Sequence, residues 1–511
     1  MRKALLLALA ACCLNIAAPK KPKLIVTIVL DQFRFDYLTR YRSEYTGGLH
    51  RLLTRGAVFT EANYIHVPTI TAVGHSTILS GATPSVSGII GNDWYDREEK
   101  AAVTSVSDKS TKLVGGALVN GQPQVGSSPR RMLVDTLPDE IKIAGGAGKS
   151  RTIGVSLKDR SAILPTGRMA DGAYWFDVKS GMVVTSTYYK DDLPQWVKDY
   201  NAPHPADRYK GTTWMGHKMP TDTTYYTAIE STPYGNELVE EIAERALAAE
   251  QLGKHEGTDV FVVSFSSNDY VGHDYGPDSP EAHEISVRTD ALLDKLLSAI
   301  DGQAGAGNVL VVLTADHGGA PLPEANQARK MPGGRFITAN IKKVVLDHLV
   351  ARYGPGEWVK GNWDLAVYLD RELIASKKLN LAEVQREAGR ALLSMGHVSR
   401  IYTNDDVIHG RVLQDEVSRK VANGFNVNRG ADVIFIPDPY WVVRLTDKGT
   451  SHATPFHYDT HVPVIFMGTG LRPGTYYQPI IVNDIAPTLA AILEVEAPAG
   501  SIGRVLTEMF E

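Results

Sequence analysis

The sequence predicts an α/β fold: a mainly parallel central sheet with helices on both faces, interrupted by insertions. Apolar, β-branched runs recur at residues 23–30 (KLIVTIVL), 151–157, 259–265, 308–313 and 462–467, as in strands covered on both sides. Between them, residues 236–252 and 280–300 carry apolar side chains at helical spacing, and strands alternating with helices build a parallel sheet. Three of the runs are closely followed by Asp31, Asp269 or Asp316, at the carboxyl ends where open α/β sheets place their ligands.

With 511 residues and a formal net charge of -5, the chain can bury a large core but has no global basic field for nucleic acid. Arg2 and Lys3 precede an apolar stretch over residues 4–18, too short to span a bilayer, so residues 1–18 are expected to be an export signal. Residues 9–12 (LAAC) resemble the lipobox of bacterial lipoproteins, which would leave Cys12 lipidated as the new N-terminus. Cleavage near Ala18 would instead leave a free periplasmic or secreted protein, and both readings stay open. No later segment is long and apolar enough to cross a membrane. The two cysteines, Cys12 and Cys13, both lie in the signal, so the exported chain has no pair for a disulfide. Residues 19–511 are expected to form one domain with insertions at about 161–232 and 320–450.

Taken in order, residues 49–53 predict a short helix stopped by Gly56, and residues 57–64 a strand. The stretch PTITAVGHSTILSG at 68–81 follows, and Thr71 opens its apolar run. That places Thr71 at a helix N-terminus, where unpaired N–H groups favour an anion; a Thr there is also an ordinary N-cap. Asn92 follows Gly91 in a turn, where Asn usually serves the backbone, and becomes a ligand contact only if a phosphate receives its amide donors. Residues 101–129 predict loops or an antiparallel hairpin, and 135–144 a helix. The strand at 151–157 runs into Lys158-Asp159-Arg160, where period-two alternation puts both cations on one face.

The aromatic segment 172–232 predicts an insertion or cap beside the sheet. Asp269 and His273 can face one point from a helical turn or a tight loop. Asp316 and His317 share a site only if their strand has ended, which Gly318 and Gly319 permit. The long insertion at 320–450 carries its own helix at 381–395 and strand at 432–436. A His-rich loop at 451–461, a strand and a helix at 484–493 complete the chain. Mixed carboxylate and imidazole ligands suit Zn²⁺, and more than four of them imply two ions. Two ions about 4 Å apart can hold the attacking and leaving oxygens of an in-line phosphoryl displacement.

The ordered set Asp31-Gln32, the Thr71 turn with Asn92, Asp269-Tyr270-Val271-Gly272-His273, Asp316-His317-Gly318 and the late His loop resembles the alkaline phosphatase superfamily, in the branch shared with nucleotide pyrophosphatase/phosphodiesterases. It runs from residue 31 to about residue 461. The resemblance implies an alkaline phosphatase-like fold and one zinc held by Asp31, Asp316, His317 and the Thr71 oxygen. A second zinc would be held by Asp269, His273 and a late His, assigned to His452. The family form there is His-Gly and this chain has Ala453, so His457 stays open as the alternative, with His461 less suited because it leads into a strand. Asn92 is then implied as a phosphate contact. Lys158 and Arg160 resemble the Lys-x-Arg pair of threonine-nucleophile bacterial alkaline phosphatases, whose fixed cations favour the more highly charged monoester dianion.

The expected enzyme is an exported hydrolase of small-molecule phosphate monoesters working through a phospho-threonine at Thr71. His75 is expected to serve packing or hydrogen bonding rather than general-base catalysis. A phosphodiesterase on the same scaffold and a non-catalytic metal- or phosphate-binding protein are the alternatives. A formylglycine sulfatase is disfavoured because no Cys lies near the Thr71 turn.

Overall fold

The computed structural model describes residues 21–510; the predicted export signal and Cys12 lie outside them. The strands that matter here are, in chain order, β1 (Leu24–Leu30), β2 (Ala57–Phe59), β3 (Ser107–Val114), β4 (Val125–Ser127), β5 (Thr152–Ser156), β6 (Gly172–Asp177), β7 (Met182–Ser186), β8 (Asp259–Phe265), β9 (Val309–Thr314), β10 (Val359–Trp363), β11 (Ala366–Leu369), β12 (Val398–Thr403), β13 (Val433–Pro437), β14 (Val464–Gly468) and β15 (Gly474–Tyr476). The helices are α1 (Thr71–Ser80), α2 (Asp159–Ile163), α3 (Pro233–Ala249), α4 (Ser267–Tyr275), α5 (Pro280–Ala304) and α6 (His457–Thr460).

One sheet of 11 strands runs in the order β15-β2-β14-β9-β1-β8-β5-β6-β7-β3-β4. Its centre, β9-β1-β8-β5-β6, is parallel throughout. Antiparallel strands flank it, β14 on β9 and β7 on β6. Every residue of β1, β5, β8 and β9 is buried. Alternate side chains point to opposite faces, so both faces of the sheet's centre are covered, as continuous apolar runs require. Helices α3 and α5 pack together, with α3 on β8 and α5 on β9.

The segment 161–232, expected as an insertion beside the sheet, contributes β6 and β7 to the sheet itself. All six residues of β6 (GAYWFD) are buried, so the strand shows no polar alternation, and its aromatic composition resembles a cap only in sequence. Residues 107–127 form the antiparallel β3–β4 ribbon, which joins the sheet through β7.

Residues 359–437 hold a second sheet of four strands, β10-β11-β13-β12. Its own apolar core includes Ile341, Val345, Val384, Val433 and Phe435, and also takes in Val67, Ile70 and Val73. The second sheet is therefore docked on the start of α1, the helix that Thr71 opens.

Strand register sets the position of the site. Leu30 lies opposite Phe265 and Val29 opposite Thr314, while Ser264 lies opposite Ser156. Consequently Asp31, the start of α4, Asp316 and Lys158 all leave the sheet at one level on its carboxyl edge.

Candidate active site

Two sets of donor atoms lie side by side at this edge, joined by Lys158, whose ammonium also reaches Thr71 Oγ1 at 3.5 Å. In the first, Asp31, Asp316 and His317 are all wholly buried. His317 Nδ1 donates to the Gly318 carbonyl at 2.8 Å, which leaves a lone pair on Nε2. That Nε2 lies 3.5 Å from both Asp31 Oδ1 and Asp316 Oδ2; it and Asp31 Oδ1 have no hydrogen-bond partner, and Asp316 Oδ2 has only His75 Nδ1 at 3.2 Å. Buried polar atoms are almost always satisfied, so two orphaned acceptors converging with a second carboxylate oxygen mark a place for a cation.

The second set is Asp269, His273 and His452. Each imidazole donates from Nδ1 to a backbone carbonyl, His273 to Thr450 and His452 to Thr69, both at 2.8 Å. Each Nε2 therefore presents a lone pair, and the two Nε2 atoms lie 3.2 Å apart, with Asp269 Oδ1 3.2 Å from that of His273. Lone pairs at that distance beside a carboxylate again fit a cation, and carbonyl-oriented imidazoles are the usual form of metal ligands. The His317 and His452 rings stack with centroids 3.7 Å apart, so the two sets share a wall. Two carboxylates with one imidazole, and one carboxylate with two imidazoles, are donor sets suited to Zn²⁺.

Charge supports the same reading. Burial and the adjacent Asp316 push the Asp31 carboxyl well above the ordinary range, although Lys158 opposes them. Burial also disfavours charge on Asp269, but Lys158 and His273 outweigh it and hold that carboxyl low. Three buried carboxylates against one ammonium leave an excess of negative charge that a bound cation relieves. Burial lowers the pKa of both His317 and His452, which keeps these imidazoles neutral and able to ligate.

Lys158 sits between the two sets. Its Nζ lies 2.7 Å from Asp31 Oδ2, 2.6 Å from Asp269 Oδ2 and 3.5 Å from Thr71 Oγ1. The Tyr270 ring faces this ammonium at 4.7 Å. The expected strand geometry of Lys158 and Arg160 is corrected here: β5 ends at Ser156, Lys158 caps α2 and Arg160 lies in its first turn. The strand stops because the edge of the sheet has been reached, and the helix brings the cations together. Burial opposes charge on Arg160, but Tyr270, Asp159 and Asp31 favour it. Its Nε is buried without a partner, and no carboxylate among the described residues pairs with its guanidinium. An anion suits that position.

Thr71 opens α1 and is 1% exposed. The helix has no side-chain cap from its own N-cap residue, Ile70; instead Asn92 Oδ1 accepts from the Ala72 N–H at 2.9 Å. That contact turns the Asn92 amide toward the helix N-terminus and leaves its N–H donors without a partner among the described residues. His75 donates from Nδ1 to the Thr71 carbonyl at 2.9 Å, and its Nε2 meets Ser264 Oγ at the same distance. His75 thus ties α1 to β8 and has no spare nitrogen for a general base. A Cβ on Gly74 would fall 2.2 Å from the Asp316 carbonyl oxygen, so glycine is what lets α1 approach the Asp316 turn.

His457, the alternative late ligand, is exposed and groups with Glu61 and His461 outside both donor sets. His461 Nε2 bonds the Thr60 carbonyl at 2.7 Å. Ala453, where the family pattern has glycine, adopts φ 89°, and its N–H reaches the Thr69 carbonyl that also orients His452. The backbone explains the usual glycine, and the chain keeps His452 in place despite the Cβ.

Gln32 has a role that the sequence reading left unassigned. Its backbone N–H donates to Asp316 Oδ1 at 3.1 Å and its side-chain amide to Asp269 Oδ1 at 2.7 Å, so one residue ties the two donor sets. Its position directly after Asp31, at a strand end, is the signal that could have found it. Tyr270 donates to Glu230 at 3.1 Å, a contact between distant segments with no sequence signature. Burial raises Glu230 to about 7, against the pull of Lys158.

Residues 25–462 match the type I phosphodiesterase / nucleotide pyrophosphatase family. The chain is 35% identical to the alkaline phosphatase PafA of Elizabethkingia meningoseptica, over 96% of this chain and 95% of the relative. It is 36% identical to the alkaline phosphatase PhoV of Synechococcus elongatus, over 96% and 93% respectively. The crystal structure of wild-type alkaline phosphatase PafA superposes with a TM-score of 0.89 at 34% identity, covering 96% of this chain and 99% of that one.

Proposed function

Because this chain belongs to the type I phosphodiesterase / nucleotide pyrophosphatase family, we propose that it is an exported phosphate monoester hydrolase, an alkaline phosphatase, that works through a phospho-threonine at Thr71 with two zinc ions. The observation that carries the reading is the arrangement around Thr71: two converging sets of metal-ligand atoms, with Lys158 between them and 3.5 Å from Thr71 Oγ1. The relatives named alkaline phosphatase over nearly the whole chain support it.

Asp31, Asp316 and His317 would hold one ion beside the Thr71 oxygen, and Asp269, His273 and His452 the other. Bound there, the ions supply Lewis acidity, which makes a hydroxyl or water nucleophilic at moderate pH and stabilises a leaving oxygen. The chain's own residues do the rest. Helix α1 presents the Thr71 hydroxyl from a buried, unfrayed N-terminus, with backbone N–H groups directed at the incoming phosphate. Arg160 and the Asn92 amide would bind non-bridging oxygens. The Lys158 ammonium, already 3.5 Å from Thr71 Oγ1, would face the phosphoryl group as it transfers. Attack by the Thr71 oxygen on phosphorus breaks the bond to the alcohol; water then cleaves the phospho-threonine, restoring Thr71 and releasing phosphate.

Two cations fixed near the phosphate stabilise a monoester dianion more than a diester monoanion. The test is kcat/KM of the purified, zinc-loaded protein for p-nitrophenyl phosphate beside bis-p-nitrophenyl phosphate. A large monoester preference supports the reading. Diester preference would replace it with a phosphodiesterase, and turnover of neither would leave a metal- or phosphate-binding protein.

A further inference from the structure

A narrow cleft opens between the loop that carries Asn92 and the second sheet. Its walls include Ile90, Trp363, Leu365 and Phe425, together with the carboxylates Asp93 and Asp364. The cleft adjoins the site along the chain on two sides. Gly91 and Asp93, which flank Asn92, line it, as do Val67 and Pro68, which lead into Thr71. Neither Asp93 nor Asp364 has a hydrogen bond or ion pair to another described side chain. Burial and the charge of Asp93 raise Asp364 to about 6, and His273 opposes them. Burial likewise raises Asp93, with Arg160 opposing. Asp93 directly follows Asn92 of the proposed phosphate clamp, and both carboxylates share the cleft with the aromatic residues Trp363, Tyr368 and Phe425.

Resting on the hydrolase reading above, we propose that this cleft receives the leaving group and selects phosphate monoesters whose alcohol carries a cationic amine. The phosphate end of such a substrate meets Arg160 and Lys158, and the amine end meets two carboxylates with no hydrogen bond or ion pair to another side chain among the described residues. An ammonium also gains from an aromatic face, and Trp363 lines the same cleft. An alcohol bearing its own carboxylate or phosphate would be repelled by Asp93 and Asp364, so the same pair excludes as well as attracts. The apolar walls accept a short carbon chain between the two charges.

The test compares kcat/KM at neutral pH for 2-aminoethyl phosphate, propyl phosphate and 2-carboxyethyl phosphate on the zinc-loaded enzyme. Propyl phosphate has the shape of the amine substrate without its charge. The amine should be preferred over propyl by about tenfold or more, the scale of one charge-assisted contact, and the carboxylate should be worst. In the D93N/D364N variant the amine-to-propyl ratio should fall close to one. The substitutions keep side-chain size, break no contact, and Asn tolerates the φ of 47° at position 364; the single D364N variant should lower the ratio partway. A wild-type ratio near or below one, or a ratio that survives in D93N/D364N, overturns the proposal. Turnover of p-nitrophenyl phosphate by the wild type distinguishes the failures: with it intact, only the subsite is wrong; without it, the hydrolase reading falls too.

Discussion

At the scale of single residues, the site is governed by uncompensated charge. Asp31, Asp316 and Asp269 are buried with one ammonium between them, and Lys158 bonds two of the three. Arg160 has no carboxylate partner, so its loss leaves no buried acid unpaired, whereas loss of Lys158 exposes two. Replacing Lys158 and Arg160 together by Ala should therefore lower kcat/KM for the monoester by roughly a hundredfold or more, as removing oriented charge from a transition state does. Diester hydrolysis should fall much less, and parallel kinetics on both substrates read the difference. Equal losses would mean that the pair only supports the fold. The candidate residues were legible in the sequence because each follows an apolar run or sits in a short motif. The roles of Asp364 and Glu230 were not, because they depend on contacts with segments far along the chain; Gln32 lies in such a motif, but its tie to Asp269 spans 237 residues.

At the scale of elements, parallel register does the positioning. The runs at 23–30, 259–265 and 308–313 are readable as strands because burial on both faces leaves nothing polar in them. The same feature hid β6, whose buried aromatic residues resemble a cap. Residues 158–160 depart from the expected alternation for a related reason: alternation predicts a strand until the sheet ends, and where the sheet ends is a tertiary fact. Ala453 shows the limit from the other side, since a residue type does not disclose its φ. At 89° its Cβ is strained, so Ala453→Gly should leave stability unchanged or raise it by up to about 1 kcal/mol, whereas Ala→Gly in regular structure usually costs about 0.5–1 kcal/mol. Urea unfolding measures this; a clear loss of stability would mean that the Ala453 methyl packs better than its backbone suffers.

At the scale of the whole molecule, the two sheets meet at α1. Ile78 and Leu79 belong to the main core, while Ile70 and Val73 belong to the second, so the helix that presents Thr71 is held from both sides. Cations bound between Asp31, Asp316 and His317, and between Asp269, His273 and His452, would tie α1, α4 and the His452 loop into one unit. Chelation with EDTA should abolish turnover and lower the melting temperature by roughly 5–10 °C, as loss of a ligand bound far below its working concentration does. Zn²⁺ should restore both. Unchanged melting with and without chelator would contradict the metal reading, and better recovery with Mn²⁺ would change the ion. No helix among the described residues is long and apolar enough to cross a membrane.

The central claim is that phosphate passes through Thr71. The zinc-loaded protein should be mixed with excess p-nitrophenyl phosphate, quenched rapidly in acid, digested and examined by mass spectrometry. The account predicts a phosphoryl group on the peptide carrying Thr71, formed within one turnover, and its absence from Thr71→Ala, which should still bind zinc but not turn over. Full turnover with no phosphate on Thr71, or substantial activity in Thr71→Ala, would contradict it.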